Sequence, residues 1–338
     1  MRCTIKDVAK LANTSTATVS LVLNNRPGVN ENTKKRVLDA VSKLNYRPNQ
    51  IARSLINQKA NAIGLIVSDI LNPFYGELAY NMQKEMDRRG MNLTLGISNN
   101  KVTNEKRIVD SMIKRGVDGI ILVPARDGEG DLRHLYELQE LKIPFVFITS
   151  RYQGIKADTV MTDLERATYE LTDYLIRGGE RNIIFVVENR SLLHVERRIS
   201  GFCSAFRDHG MNLSEDCIIE IDPDIENGVL VTRNKILQKN PDAIIAINAF
   251  TAMGIMKELR DNGISIPEQI AVSCFDDLEY ASILYTPLTV VKQPIEEMCQ
   301  EAVTLLERRV QGDTEEVVQK LLPGELITRD STKQFKTC

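Results

Sequence analysis

The sequence predicts an α/β protein, a small helical head followed by a bilobed body of doubly wound parallel sheets. Three observations predict it. Over residues 61–330, short β-branched runs alternate with amphipathic stretches of helical period, the pattern of βαβ units in a parallel sheet. Residues 1–48 instead carry three short helical segments, each opened by a capping residue. The charge is also divided. Residues 1–60 hold 11 Lys/Arg against 3 Asp/Glu, so a head at +8 precedes a body at −11 behind the net charge of −3.

In the head, Thr4 and Asp7 open a first helix with the apolar set Ile5, Val8, Ala9 and Leu11. Ala12-Asn13-Thr14 breaks it, with Asn tolerant of a left-handed turn. Ser15 caps a second helix to about Asn24, with Val19, Val22 and Leu23 on one face and Ala17, Ser20 and Leu21 on the other. Two short helices joined by such a turn form a helix-turn-helix. A third helix, capped by Asn30, carries Val37, Leu38, Val41 and Leu44 and is expected to stop at Pro48. A solvated three-helix bundle fits this spacing as well as a DNA-binding module. The basic balance favours a polyanion, because phosphate neutralisation supplies most non-specific affinity for nucleic acid. With Tyr46 as its sole aromatic, the head lacks a stacking platform for single strands, and duplex DNA is the better fit.

In the body, strands are expected at 62–67, 93–97, 119–123, 144–148, 182–187, 243–247 and 270–275, with helices such as 77–89, 105–115, 165–177 and 252–262. These are too many units for one sheet of usual size, so two lobes are expected. Such sheets bind ligands beyond the carboxyl ends of their strands. No GxGxxG, P-loop, GxSxG or HExxH motif occurs, so nothing points to a cofactor or to the commoner enzyme chemistries.

Composition agrees with an ordinary globular protein of 338 residues, 43% apolar and 26% charged. No apolar run reaches the roughly 18 residues of a membrane span, and residues 1–30 contain no secretory h-region. Six scattered cysteines without a CxxC pair argue for free thiols in a reducing cytoplasm. His134, His194 and His209 lack metal-ligand spacing.

The run TIKDVAKLANTSTATVSLVLNN at 4–25 resembles the headpiece signature of the lactose-repressor (LacI/GalR) family almost residue for residue. YRPNQIARSL at 46–55 resembles that family's hinge helix. More loosely, SDILNPFYGELA (68–79), RGVDGIILVP (115–124), ERRISGF (196–202), CFDD (274–277) and PLTVVKQP (287–294) resemble its effector-binding core, which is similar in fold to periplasmic sugar-binding proteins. The resemblance implies a cytoplasmic transcriptional regulator, most simply a repressor, binding double-stranded operator DNA as a homodimer under a small-molecule effector. The expected division is headpiece 1–48, hinge 49–60, core 61–330 and tail 331–338. Within the core, an N-lobe of 61–162 with 293–322 would face a C-lobe of 163–292 with 323–330. The tail has no leucine heptad, which predicts dimers rather than tetramers.

By the same resemblance, Thr4, Ser15, Thr16, Ala17 and Thr18 would meet DNA, together with Ser20, Leu21, Asn24, Val29 and Tyr46. In the hinge, Ala52 and Arg53 would line the minor groove and Leu55 would wedge between base pairs. An apolar linker resting on its own body is the plainer reading of that segment. In the core, Phe74 and Tyr75 would flank the effector, Thr149 would line the site with them, Arg198 would donate hydrogen bonds, and Asn248 and Asp276 would close it. Phe74 suits a core aromatic equally well, and Arg198 beside Arg197 suits a solvated patch.

Four positions depart from the family pattern. Thr149 and Ala249 stand where acids are usual, Cys274 replaces a glycine, and Leu21 replaces a common Arg. Losing two acceptors while keeping Arg198 points to an anionic or less hydroxylated effector, or a sugar derivative. A transport-type binding protein would carry a signal sequence and no basic head. An enzyme on this fold would need a nucleophile–base pair or a phosphate loop.

Overall fold

The computed structural model describes residues 3–23, 27–46, 61–127 and 130–334. The chain divides into two units at Ala60/Asn61. In the first, α1 (Ile5–Leu11), α2 (Thr16–Leu23) and α3 (Glu31–Lys43) enclose Val8, Ala9, Ala12, Val19, Val22, Val37 and Ala40. Each helix is opened as its sequence requires. Thr4 N and Oγ1 both donate to Asp7 Oδ2, at 2.8 and 2.7 Å. Thr18 N donates to Ser15 Oγ at 3.0 Å, and Thr33 N to Asn30 Oδ1 at 2.8 Å. Asn13 takes φ +49° in the α1–α2 turn, as expected of Asn at a left-handed position.

Two core expectations in the head are corrected. Leu11 and Leu38 are about half exposed, at 51% and 48%. The inward stripe of α3 runs through Val37, Ala40, Val41 and Leu44, and Leu38 lies one 100° step off it. Nor does α3 run to Pro48. It ends at Lys43, followed by Asn45 at φ +45°. Pro48 and the 49–60 hinge lie outside the described residues.

The second unit contains two six-stranded sheets. The first joins β1 (Ala62–Val67), β2 (Asn92–Ile97), β3 (Gly119–Leu122), β4 (Phe145–Ile148), β5 (Asp158–Thr162) and β11 (Gln319–Leu322) in the order β11-β5-β4-β3-β1-β2, all parallel. The second joins β6 (Ile183–Val187), β7 (Ile218–Glu220), β8 (Ala243–Ala246), β9 (Ala271–Phe275), β10 (Thr289–Lys292) and β12 (Glu325–Ile327) in the order β12-β10-β9-β8-β6-β7. There β12 is an antiparallel edge on an otherwise parallel sheet. The chain crosses between the sheets three times: after Thr162, after Lys292, and between Leu322 and Glu325.

The first sheet is buried on both faces, so its side chains sort by the two-residue period. Ile63, Leu65, Val67, Ile121 and Val146 point to one core, and Ile66, Ile120, Leu122, Phe145 and Phe147 to the other. Helices cover both faces: α4 (Pro73–Arg89), α5 (Val102–Arg115), α6 (Arg133–Glu140) and α11 (Ile295–Val310) on the first sheet. The second carries α7 (Leu164–Arg177), α8 (Leu193–Asp208), α9 (Ile225–Val231) and α10 (Ala249–Asp261).

All four helices named from periodicity begin earlier than it suggested, and a side-chain cap precedes three of them. Phe74 N donates to Asn72, Arg166 N to Asp163 and Thr251 N to Asn248. Pro73 occupies the first helical position of α4, where its missing N–H costs nothing. Helices α7 and α8 approach closely. A Cβ at Gly201 would lie 2.0 Å from the Glu165 carbonyl oxygen, so this glycine sets the position of α8.

The segment 331–338, expected as a tail, begins inside the second lobe. Ser331 and Thr332 are buried. Ser331 Oγ accepts from Thr289 N at 2.8 Å and donates to Val272 O at 2.6 Å, while Ser331 O accepts from Val272 N at 2.8 Å. Thr332 Oγ1 bonds Thr289 Oγ1 at 2.7 Å. These contacts satisfy backbone groups on β9 and β10 that the ladder leaves over. A stop after Asp330 should therefore destabilise the chain by several kcal/mol, since each buried polar group left unpaired costs about 1–3 kcal/mol. A stop after Gln334 keeps these buried bonds and should be the more stable of the two. Chemical denaturation of the two truncations checks this, and equal midpoints would refute it.

Candidate functional site

The carboxyl ends of both sheets open on one cleft of about 600 Å³. From the first lobe come Asp69 and Asn72 after β1, Val123–Arg126 after β3, and Thr149–Gln153 after β4. From the second come Glu188 after β6, Asn248 after β8, Asp276 after β9 and, from α8, Arg198. Thr149 and Asp276 hold equivalent places in the two lobes, and both have left-handed backbones at φ +69° and +71°. Their N–H groups donate to the neighbouring strand, Thr149 to Val160 O and Asp276 to Val291 O, each at 2.9 Å. A β-branched residue at positive φ is strained, and such strain of order 1–3 kcal/mol collects at functional sites.

The charges in the cleft are unevenly paired. Arg126 Nη1 donates to Glu188 Oε2 at 2.6 Å, and its Nη2 donates to the Tyr75 hydroxyl. His194 Nε2 lies 2.8 Å from Glu188 Oε1. Burial alone would raise the Glu188 carboxyl, but the Arg126 charge and the His194 hydrogen bond bring it down to about 2. Burial pushes the His194 imidazole down.

Arg198 is different. It is only 5% exposed, its guanidinium lies 4.4 Å over the Phe275 ring, and its Nε has no hydrogen-bond partner. Burial pushes it below its ordinary value, opposed by Asp276 and Glu188. The Nε of Arg151 is likewise buried and unpartnered. Burial pushes the Asp276 carboxyl up, opposed by Arg198 and by Gln293, whose Nε2 donates to Asp276 Oδ1 at 2.7 Å.

All six residues suggested for the effector line this cleft. Phe74 does so while packed in the first lobe's core, edge-on to Tyr75 at 5.1 Å, and thus serves as both wall and core. Arg198 is buried rather than solvated. Asn248 has little left to offer a ligand, because its Oδ1 caps α10 and its Nδ2 donates to Pro223 O. Asp277, beside Asp276, faces away and pairs with Arg329 at 2.7 Å. The residues missed from sequence are Arg126, Arg151, Glu188, His194 and Gln293. Glu188 follows directly on an expected strand and Arg126 lies three residues past another, so the carboxyl-end rule places each near the cleft without showing that they meet.

In the head, Thr16 and Ala17 are exposed at the start of α2, and Ser20 and Leu21 are half-buried outside the core cluster. Thr4 and Ser15 are exposed caps, with Ser15 Oγ also 2.9 Å from Thr18 Oγ1. Val29 and Tyr46 pack partly against the head's core. Asn24, Ala52, Arg53 and Leu55 lie outside the described residues.

Residues 4–49 match the family model for bacterial regulatory proteins of the lacI family, and residues 60–330 that for periplasmic binding proteins and the sugar-binding domain of the LacI family. The chain is 31% identical over 338 residues, all of both chains, to the HTH-type transcriptional regulator DegA of Bacillus subtilis (strain 168). Its fold is similar to the lac repressor dimer bound to operator and the anti-inducer ONPF, with TM-score 0.88 and 23% identity over 98% of this chain and 99% of that one. It is also similar to the regulator CelR in complex with cellobiose, with TM-score 0.73 and 27% identity over 98% and 100% of the two chains. A basic helix-turn-helix head, two parallel-sheet lobes around a polar cleft and end-to-end likeness to such regulators lead to one conclusion: this chain belongs to the LacI family of DNA-binding transcriptional regulators.

Proposed function

We propose that this regulator is a homodimeric, non-enzymatic repressor whose hold on its operator is set by a small effector in the interlobe cleft. The observation that carries the effector reading is Arg198. A buried guanidinium with an unpartnered Nε, fixed in plane by Phe275, is a donor awaiting an acceptor. Arg151 adds a second such donor, whereas Glu188 is already neutralised by Arg126. The cleft therefore suits an anionic or sparsely hydroxylated effector, with Asp276 left to accept a hydroxyl or N–H. CelR, solved with cellobiose, supports a neutral sugar as the second reading. Ile283 and Tyr285, 81% and 94% exposed, supply apolar surface for a homodimer.

A thermal-shift screen of sugars, sugar phosphates, nucleobases and amino acids separates the two readings. A ligand at about 100 times its Kd adds about 2.7 kcal/mol. Arg198→Ala should abolish the shift from the best ligand and the operator response to it, with ligand-free operator binding intact. A neutral hexose that binds tightly and equally well to Arg198→Ala would overturn the anionic reading.

On DNA, Leu21 at the outer face of α2 meets an apolar group such as a thymine methyl, where Arg would read guanine O6 and N7. Leu21→Arg should move half-site preference at that position from T·A toward G·C by about 1–3 kcal/mol. An unchanged selected-site profile would refute the contact.

The hinge reading rests on the family resemblance of 46–55. An eight-residue helix over 49–56 is too short to persist alone, since isolated helices under about 12–15 residues are marginal in water. It folds against its dimer mate on the operator, with Leu55 as the wedge. Leu55→Ala should lower specific affinity and DNA bend together while leaving weak, salt-dependent binding. Strong amide protection at 49–56 in the DNA-free protein would contradict coupled folding.

A further inference from the structure

Arg126 and Glu188 belong to different lobes, and among the described residues theirs is the only ion pair that joins them. Among the described residues, the other side-chain hydrogen bond between lobes, Gln293 to Asp276, lies where the chain crosses over. The pair thus spans the cleft itself, at 2.6 Å.

Both ends are held in position before they meet. Next to Arg126, Ala125 N donates to Glu105 Oε2 at 2.9 Å and to the Tyr152 hydroxyl at 2.8 Å. Glu105 is fully buried and further bonded to Tyr152 OH and to His134 Nε2, at 2.9 and 2.7 Å. On the other side of Arg126, the Asp127 carboxylate accepts from Val102 N at the start of α5. The loop is therefore pinned before and behind the arginine, and Tyr75 fixes the second arm of the guanidinium. Across the cleft, His194 at the start of α8 fixes Glu188.

We propose that Arg126 and Glu188 are a latch that keeps the lobes shut without effector, so that the effector enters a preclosed cleft instead of drawing two open lobes together. The proposal rests on reading the cleft as the effector site. Its physical basis is the cost of a buried charge without a partner, which greatly exceeds the modest net worth of the intact pair. Removing one partner leaves the other in a poorly hydrated place, and opening the lobes is the relaxation that returns water to it. A closed form populated in advance also raises apparent affinity by the fraction it represents.

The test uses the full chain with no ligand. Small-angle scattering and amide hydrogen exchange are compared among wild type, Glu188→Gln, Arg126→Gln and the double variant Arg126→Glu with Glu188→Arg. Circular dichroism establishes that each is folded. Each single variant should show a larger radius of gyration and at least about tenfold faster exchange in residues 123–127 and 188–194. The double variant, with the charges exchanged, should return both readouts toward wild type. Wild-type scattering and exchange in the folded single variants would overturn the latch. So would a folded double variant as open as the singles, which would make these side chains mere packing elements of their own lobes. No effector is present, so this outcome leaves the effector reading standing, and failure of the Arg198→Ala experiment leaves the latch standing.

Discussion

The side-chain amide of Gln293 joins two of the three crossovers to the cleft. Its Oε1 accepts from Thr162 Oγ1 at 2.7 Å, at the end of β5, and its Nε2 donates to Asp276 Oδ1 at 2.7 Å, at the end of β9. Both amide ends are used, so the amide has one orientation. Asp276 is thereby held in a left-handed backbone with its carboxylate turned to the cleft. The crossovers are where the two sheets meet, and this hydrogen-bond chain lies at two of them. A ligand that takes up Asp276 acts on the same amide that ties the crossovers together, which gives the site a physical route to the rest of the body.

Much of the fold was legible because it rests on local rules. The two-residue period marked the central strands, and caps such as Ser15, Asn30 and Thr4 marked the head helices. Five strands escaped, β5, β7, β10, β11 and β12, and in all but β10 the pattern is one that tertiary context creates. β5 carries Asp158 in a buried strand, legible only once Arg309 is seen to bind it at 2.7 Å and 2.8 Å. β7 and β12 have three residues each, and β11 is a mostly exposed edge. Ser331 and Thr332 read as polar tail residues because their buried partners, Val272 and Thr289, are distant in sequence.

The site was legible in part in both lobes. Residues named through the family pattern reach the cleft, yet the pattern says nothing of what their side chains already do. Asn248 is committed to capping α10, whereas Arg198 is uncommitted. Arg126 and Glu188 escaped because neither charge is unusual alone. Their significance is relational, arising only when β3 and β6 are brought to opposite sides of one cleft. In the head, the inward stripe on α3 passes one step from Leu38, a difference of 100° that composition cannot reveal.

The left-handed backbone at Thr149 has a consequence for how such a protein could change its ligand. Asn and Asp tolerate positive φ far better than a β-branched residue does, so a Thr-to-Asp change there would relieve strain while placing a carboxylate in the cleft. At Asn248, by contrast, a change of side chain would forfeit a helix cap. The cleft thus contains one position where novelty is cheap and another where it is taxed by folding. Divergence in effector choice within this scaffold has a preferred first step, set by backbone geometry before any ligand is considered.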